Sequence, residues 1–134
     1  MSIDVTKDSI DIGIVVRDAE AALKFYRDTL GFEHAGDMAT ATGTMHRLMC
    51  GTTVVKVVSP DNVPEQANLP GGPGGASGIR YWTISVPDLD VLTDRCRDAG
   101  YTVTVEPREI RPRVRIAMVE DPDGNWVEFL ENNE

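Results

Sequence analysis

Residues 10–31 read IDIGIVVRDAEAALKFYRDTLG, and residues 80–100 read RYWTISVPDLDVLTDRCRDAG. Each stretch begins with a β-branched run, passes through an aspartate, continues with apolar residues at helical spacing and stops at a glycine. An aspartate before a helix accepts hydrogen bonds from the free N–H groups of the first turn, and glycine adopts the left-handed conformation that ends a helix. The punctuating residues are Asp18, Gly31, Asp88 and Gly100. The two stretches therefore predict a strand followed by a helix, written twice.

Strand-like runs follow each predicted helix. They cover about residues 33–38, 44–50 and 53–59 in the first half, and 102–106, 114–120 and 126–131 in the second. Turn-forming residues separate the last two runs of each set. The sequence thus predicts an α+β protein in which one β-α-β-β-β unit is repeated in tandem. We expect a single domain, with module 1 at about 9–60, a Pro- and Gly-rich connector at about 61–78 and module 2 at about 79–132.

Composition limits the class of partner. The chain carries a formal net charge of -9, from 22 acidic and 13 basic residues, and this argues against nucleic acid because a phosphate backbone needs a basic face. No apolar run is long enough to span a membrane, and the first residues lack the features of a secretory signal. Cys50 and Cys96 are too few for a disulfide framework and are interpreted as small buried residues in a reducing compartment. We expect a cytoplasmic protein.

The doubled unit and one late motif resemble a known family. Residues 18–32 and the segment EDPDGNWVEF at residues 120–129 are similar to the vicinal oxygen chelate superfamily, and the similarity covers nearly the whole chain. That superfamily includes glyoxalase I, methylmalonyl-CoA epimerase, extradiol dioxygenases, fosfomycin-modifying enzymes and bleomycin-binding proteins. The resemblance implies two half-barrels paired around a cleft that takes a small molecule, often with a divalent metal, and it implies a homodimer.

The resemblance also implies where the site residues lie. Carrying the family's metal-ligand positions onto this chain gives Asp11, Lys56, Tyr81 and Glu128. The repeat supports two of them independently, since Asp11 lies seven residues before the first cap and Tyr81 seven before the second. The position of Lys56 is open to a slip of one residue, which would put Val55 there instead and turn the lysine to the other face of the sheet.

Only Glu128 matches the family's ligand pattern. A lysine ammonium has three donors and no lone pair for a metal, so a bound metal is not favoured; if one binds, Asp11 and Glu128 are its expected ligands. We hypothesise that Lys56 supplies the positive charge that relatives take from a metal ion, with Tyr81 as a hydroxyl donor and a carboxylate as general base. This predicts a metal-independent isomerase, epimerase or lyase. The alternatives are a non-catalytic protein that sequesters an antibiotic-like molecule and a metal-dependent enzyme.

Further residues are candidates for substrate binding. Strand alternation turns either His46 or Arg47 toward the site, and the sequence leaves both open. His34 is interpreted as a surface residue. Arg111, Arg113 and Arg115 share one face if their segment is extended, where Arg113 and Arg115 would clamp an anionic ligand; a solvated hairpin loop is the alternative. Trp82 and Trp126 flank the site strands and are assigned either to the core or to the pocket wall.

Overall fold

A computed structural model describes residues 2–134, and the chain divides in sequence between Glu65 and Gln66 into two compact units. We call the unit that ends at Glu65 module 1 and the unit that begins at Gln66 module 2. Each module forms a four-stranded mixed sheet, and each follows the order strand, helix and three strands. The predicted α+β fold with paired β-α-β-β-β modules is therefore confirmed.

Module 1 has the strand order β1-β4-β3-β2, in which β1 runs parallel to β4 and the other pairs are antiparallel. Its helix begins as an α-helix and continues as a π-helix. The elements are β1 (Ile12–Val15), α1 (Ala19–Leu23) with its π-helical continuation (Lys24–Thr29), β2 (Glu33–Thr40), β3 (Gly43–Cys50) and β4 (Thr53–Pro60).

Module 2 repeats this arrangement with the strand order β5-β8-β7-β6, and β5 is parallel to β8. A short 3-10 helix (Gly72–Gly74) precedes the first strand. The elements that follow are β5 (Tyr81–Ser85), α2 (Leu89–Asp98), β6 (Val103–Arg111), β7 (Val114–Glu120) and β8 (Trp126–Asn132).

The helices begin and end where the sequence predicts. The carboxylate of Asp18 accepts a hydrogen bond from the backbone N–H of Ala21 at 3.1 Å, and Asp88 accepts one from Val91 at 3.2 Å. Gly31 and Gly100 follow the two helices with φ values of 85° and 94°. These left-handed residues turn the chain back toward the sheet at no steric cost.

Each sheet has a helix face, packed against the helix of its own module, and a far face turned away from it. Because side chains alternate along a strand, the pairing register assigns every residue to one face. The helix faces carry the cores, which consist of fully buried side chains: Leu48, Val55 and Val57 with Phe25 and Tyr26 in module 1, and Ala117, Val119, Val127 and Phe129 with Leu89 and Cys96 in module 2.

The largest difference from the predicted elements lies in β6. This strand extends to Arg111, beyond the predicted end at residue 106, and its pairing with β7 is interrupted by irregularities. Arg113 lies in the hairpin turn with a φ of 66°, so the segment is not extended and Arg111, Arg113 and Arg115 do not share one face. The hairpin alternative is the one that the structure bears out.

Part of the predicted connector is held by module 2. The guanidinium of Arg80 donates to the backbone carbonyl of Gly72 at 2.7 Å and to that of Leu69 at 2.5 Å. The side chain of Asn68 donates to that of Asn125 at 2.9 Å. The connector is therefore bound to module 2 at residues 68–72.

Candidate functional site

The pairing register identifies the equivalent positions of the two modules. Gly13 pairs with Lys56 in module 1, and Thr83 pairs with Glu128 in module 2. Gly13 and Thr83 each lie two residues after the first site position of their module. Lys56 is thus equivalent to Glu128 and lies on the far face. The alternative residue, Val55, is fully buried on the helix face.

The side chain of Asp11 is already hydrogen-bonded to groups of module 1. Its carboxylate accepts a hydrogen bond from the ammonium of Lys7 at 2.6 Å and another from the backbone N–H of Val54 at 2.8 Å. The Lys7 hydrogen bond and the Val54 N–H, with a smaller contribution from the charge of Lys56, lower the pKa of Asp11. The lysine that binds Asp11 directly is Lys7, and Lys56 acts on it only through its charge. A carboxylate with a lowered pKa is a weak base, which disfavours Asp11 as the proton acceptor.

Arg47 lies directly opposite Lys56 across the β3–β4 pair, and both side chains are partly exposed on the far face. Among residues 2–134, neither cation has a hydrogen-bonded or ion-paired carboxylate. Two like charges directly opposite on a sheet repel each other. The pair is flanked on the same face by Met45 and Met49. Module 1 therefore presents two cations that no carboxylate binds directly, with apolar residues beside them.

His46 points to the helix face, so strand alternation gives the far face to its neighbour Arg47. The ring Nδ1 of His46 lies 2.8 Å from the Oδ1 atom of Asp37. The same oxygen lies 2.7 Å from the Nε2 atom of His34. This histidine–aspartate cluster was not predicted, because a β-bulge between His34 and Gly36 brings residues three apart in sequence onto one face. No spacing rule shows such a bulge in advance.

The far face of module 2 is acidic and aromatic. The hydroxyl of Thr83 donates to the carboxylate of Glu128 at 2.7 Å, and the indole N–H of Trp126 donates to Glu120 at 2.9 Å. Tyr81, which is 43% exposed, pairs with Trp126 and shares this face. Trp82 pairs with Val127 and therefore belongs to the helix face. Of the two tryptophans, Trp126 is the one beside Glu128 and Tyr81.

The arginines of the β6–β7 hairpin are engaged elsewhere. The guanidinium of Arg115 makes two hydrogen bonds to Asp90 of α2, at 2.7 Å and 3.0 Å. Arg111 donates to Glu134 at 2.9 Å. The Arg115 hydrogen bond lowers the pKa of Asp90. Arg115 consequently ties a strand to its helix, and Arg113 lies in the turn.

Neither cysteine has the surroundings of a nucleophile. Both are free thiols, and burial raises the pKa of Cys50 and raises that of Cys96 to about 11. Both thiols therefore remain protonated at neutral pH, whereas the reactive form of cysteine is the thiolate. Among the described residues, neither helix combines the length and apolar character needed to cross a bilayer.

Comparison with known proteins gives the family. The model of the Glyoxalase/Bleomycin resistance protein/Dioxygenase superfamily matches residues 9–129. The chain belongs to this superfamily. A Bacillus subtilis (strain 168) protein named catechol-2,3-dioxygenase is 28% identical over 130 residues, which cover 89% of this chain and 39% of that protein. The chain therefore spans about two fifths of the length of this relative.

Solved structures share the fold. A glyoxalase family protein from Bacillus cereus superimposes with a TM-score of 0.81 at 16% identity, covering 98% of this chain and 97% of its own. TnmS3, an antibiotic-binding protein from Streptomyces sp. CB03234, gives a TM-score of 0.72 at 23% identity, covering 97% of this chain and 100% of its own. At these identities the likeness concerns the fold alone.

Proteins of this superfamily usually bind a divalent metal, but the four positions carried over from its metal site do not fit one. Lys56 offers an ammonium without a lone pair, and Asp11 is already held by Lys7 and a backbone N–H. Glu128 is a suitable ligand and Tyr81 a neutral phenol. A set with one suitable carboxylate and no imidazole or thiolate is a poor donor set for zinc, nickel or iron.

Proposed function

We propose that this protein binds a small molecule that carries an anionic or strongly polarised oxygen on an apolar frame. The Arg47–Lys56 pair is the observation that carries the proposal. It places two cations opposite each other, and among the described residues neither has a hydrogen-bonded or ion-paired carboxylate, in a chain whose net charge is -9. Such a pair gains a partner when a carboxylate, phenolate or phosphate binds. Arginine can make a bidentate hydrogen-bonded contact with these groups, and lysine adds a point charge.

The residues beside the Arg47–Lys56 pair indicate that part of the ligand is apolar. Met45 pairs with Val58 and Met49 with Val54, on either side of the two cations and on the same face. Methionine side chains adapt to ligands of different shape. A ligand with one charged oxygen and an apolar body matches this surface better than a fully polar one. TnmS3, which shares the fold, is an antibiotic-binding protein.

A screen with matched pairs of compounds tests the proposal. Aromatic and alicyclic carboxylic acids, each paired with its methyl ester, are compared by the rise they cause in the melting temperature of the protein. We expect a subset of the acids to raise it and the corresponding esters to raise it less. Esters that stabilise the protein as well as their acids do would exclude the cation pair as the recognition element.

A second candidate is metal-independent isomerase, epimerase or lyase chemistry, in which the charge of Lys56 replaces that of the metal ion. The observation that favours it is the Glu128 carboxylate, held by the Thr83 hydroxyl at 2.7 Å on the face that also carries Tyr81. In this reaction the proton on the carbon beside a carbonyl group passes to Glu128, and the enolate oxygen is stabilised by a hydroxyl donor and a cation.

Exchange in D2O distinguishes the two candidates. A panel of 2-oxo acids and hydroxyketones is incubated with the protein, and the loss of the ¹H signal beside the carbonyl group is followed by NMR. Exchange that Glu128→Gln and Lys56→Met both abolish would support catalysis. If every compound exchanges at the rate seen in buffer without protein while binding is retained, the catalytic candidate is excluded and only the binding function remains.

The proposal includes a homodimer and a cytoplasmic location. Two free cysteines, one of them fully buried, suit a reducing compartment. Light scattering coupled to size exclusion measures the mass of the particle directly. A mass near 14.7 kDa, that of one chain, at micromolar concentration would overturn the dimer.

A further inference from the structure

A cluster of two histidines and one aspartate lies on the helix face of module 1, at the β2–β3 pair. The Oδ1 atom of Asp37 lies 2.7 Å from Nε2 of His34 and 2.8 Å from Nδ1 of His46. One nitrogen of each ring and one carboxylate oxygen all lie within 4.8 Å of one another. The cluster is separate from the Arg47–Lys56 pair, because His46 and Arg47 point to opposite faces of β3.

The backbone brings these residues together through a local irregularity. Asp37 pairs directly with His46, and His34 pairs with Leu48 two positions along the same strand. The register shifts between His34 and Gly36, which has a φ of 124°. Without the shift, residues three apart would point to opposite faces of the strand. The bulge therefore determines that both β2 side chains meet His46.

The fold itself does not require polar residues here. The position in module 2 equivalent to His46 is Ala117, which is fully buried, and the position equivalent to His34 is Val103. Module 2 thus completes the same sheet with apolar side chains. The side chains of His34 and His46 are only 25% and 14% exposed, whereas that of Asp37 is 51% exposed. A partly buried pair of imidazoles beside an accessible carboxylate is a specific feature of module 1.

We propose that His34, Asp37 and His46 bind a transition-metal ion of the zinc class, with a fourth position open to solvent. Imidazole and carboxylate are ligands that zinc uses, and three protein ligands leave a position for water. The Asp37 carboxylate lies within hydrogen-bond distance of one nitrogen of each ring, so all three ligand groups already face one another. The site goes beyond the proposed small-molecule function and does not depend on it.

Metal binding needs a small expansion of the cluster. Zinc–nitrogen bonds of about 2.0–2.1 Å place tetrahedral ligand atoms about 3.3 Å apart, so the atoms now 2.7–2.8 Å apart must separate by about half an ångström. Each imidazole must also release the hydrogen that it donates to Asp37 and carry it on its other ring nitrogen. The exposed Asp37 side chain leaves room for this movement.

Arg27 favours the metal-free tautomer of His34. Its guanidinium lies 3.3 Å from Nδ1 of His34 and is also held by Asp28, at 2.8 Å from Nε to Oδ1. When Nε2 of His34 binds a metal, Nδ1 carries the hydrogen and repels the guanidinium donor. Arg27 must then release His34 and remain with Asp28 alone. Removal of Arg27 is therefore expected to strengthen metal binding.

Metal titration of the untagged full chain tests the proposal. Zn²⁺ affinity is measured by competition with a chromophoric chelator, and Co²⁺ absorption reports the coordination geometry. We expect one ion per chain, Asp37→Asn and His46→Ala to weaken binding at least about tenfold, and Arg27→Gln to strengthen it. Glu33→Gln, which removes another exposed carboxylate of β2, is the control and should bind the metal like the unmodified chain.

Two results would overturn the site. The first is the absence of stoichiometric Zn²⁺ or Co²⁺ binding by the unmodified protein. The second is equal affinity in the unmodified chain and in Asp37→Asn, which would place any bound metal elsewhere. Because Asp37 is half exposed and asparagine has the same shape, this variant keeps the fold and remains informative if His46→Ala proves unstable. Far-UV circular dichroism verifies the fold of each variant.

Discussion

Module 1 and module 2 share one strand order, but equivalent positions on their sheets carry different chemistry. Lys56 in module 1 corresponds to Glu128 in module 2, and Arg47 corresponds to Met118. On the helix face, His46 corresponds to the buried Ala117. The first sheet is therefore basic on its far face and carries a histidine cluster on its helix face. The second is acidic on its far face, and on its helix face it is apolar at the positions equivalent to His34 and His46.

The difference separates residues that the fold needs from residues that it tolerates. Both modules keep an aspartate cap, a glycine after the helix and a buried β-branched core. Both vary the polar side chains of the sheet without changing the strand order. The positions where the modules differ are consequently the ones at which to look for function.

The core of module 2 offers the largest expected effect. Phe129 is fully buried on the helix face, and Phe129→Ala should lower the free energy of unfolding by about 3–5 kcal/mol because it leaves a cavity. Both tryptophans lie in module 2, so urea unfolding followed by tryptophan fluorescence reports this change. Val91→Ala, at a side chain 54% exposed, is the control. A loss below about 1 kcal/mol for Phe129→Ala would contradict the assigned core.

Substitutions in the turns before β8 and β4 should lower the free energy of unfolding by different amounts. Asp121 is 4% exposed and accepts hydrogen bonds from the backbone N–H groups of Asp123 and Asn125, so Asp121→Ala should cost about 2–4 kcal/mol. The equivalent turn of module 1 contains Gly51 at a φ of 60°, and Gly51→Ala should cost about 1–2 kcal/mol. Denaturant unfolding of both variants gives the order, and the reverse order would be inconsistent with the carboxylate holding its turn.

Arg47→Met gives module 1 the residue that module 2 has at the equivalent position. We expect affinity for an acid found in the ester-matched screen to fall at least about tenfold, since a two-pronged guanidinium contact is removed. Stability should rise by about 0.2–1 kcal/mol, because a like-charge pair is relieved. Calorimetric titration and thermal unfolding measure the two effects. Unchanged affinity would remove Arg47 from the binding surface.

Arg115 has the smallest expected effect. Its ion pair with Asp90 is solvent-exposed, so Arg115→Gln should lower the free energy of unfolding less than any of the other destabilising variants. The folded-state pKa of Asp90 is lowered, and the stabilisation is therefore present above the unfolded-state pKa and lost as the pH falls through the folded value. The difference in unfolding free energy between Arg115→Gln and the unmodified protein should therefore disappear at acidic pH. A loss of ligand affinity in this variant would restore the arginine clamp.

Local sequence rules predicted the fold well. The caps, the terminal glycines and most strand bounds follow from residues close together in the chain, such as Asp18 and Gly31. Strand 114–120 was predicted in full. The end of β6 was missed because pairing with β7 carries the strand past Pro107, against its local preference.

The candidate site was predicted only in part, because its geometry depends on register. Lys56 could be placed only to within one residue until its pairing with Gly13 was known. The register of β3 determines whether His46 or Arg47 points to the far face, and neither residue type prefers one face strongly enough to predict that register. The bulge after His34 and the ion pair of Lys7 with Asp11 depend on tertiary placement.

The most direct test of the account is the affinity of a screened acid for the protein with and without Lys56, measured by isothermal titration calorimetry. Lys24→Met, which removes an exposed lysine of the π-helix, is the matched control. We predict that Lys56→Met weakens binding at least about tenfold and that Lys24→Met leaves it unchanged. Equal affinity in Lys56→Met and the unmodified protein would contradict the claim that module 1 binds its ligand through the Arg47–Lys56 pair.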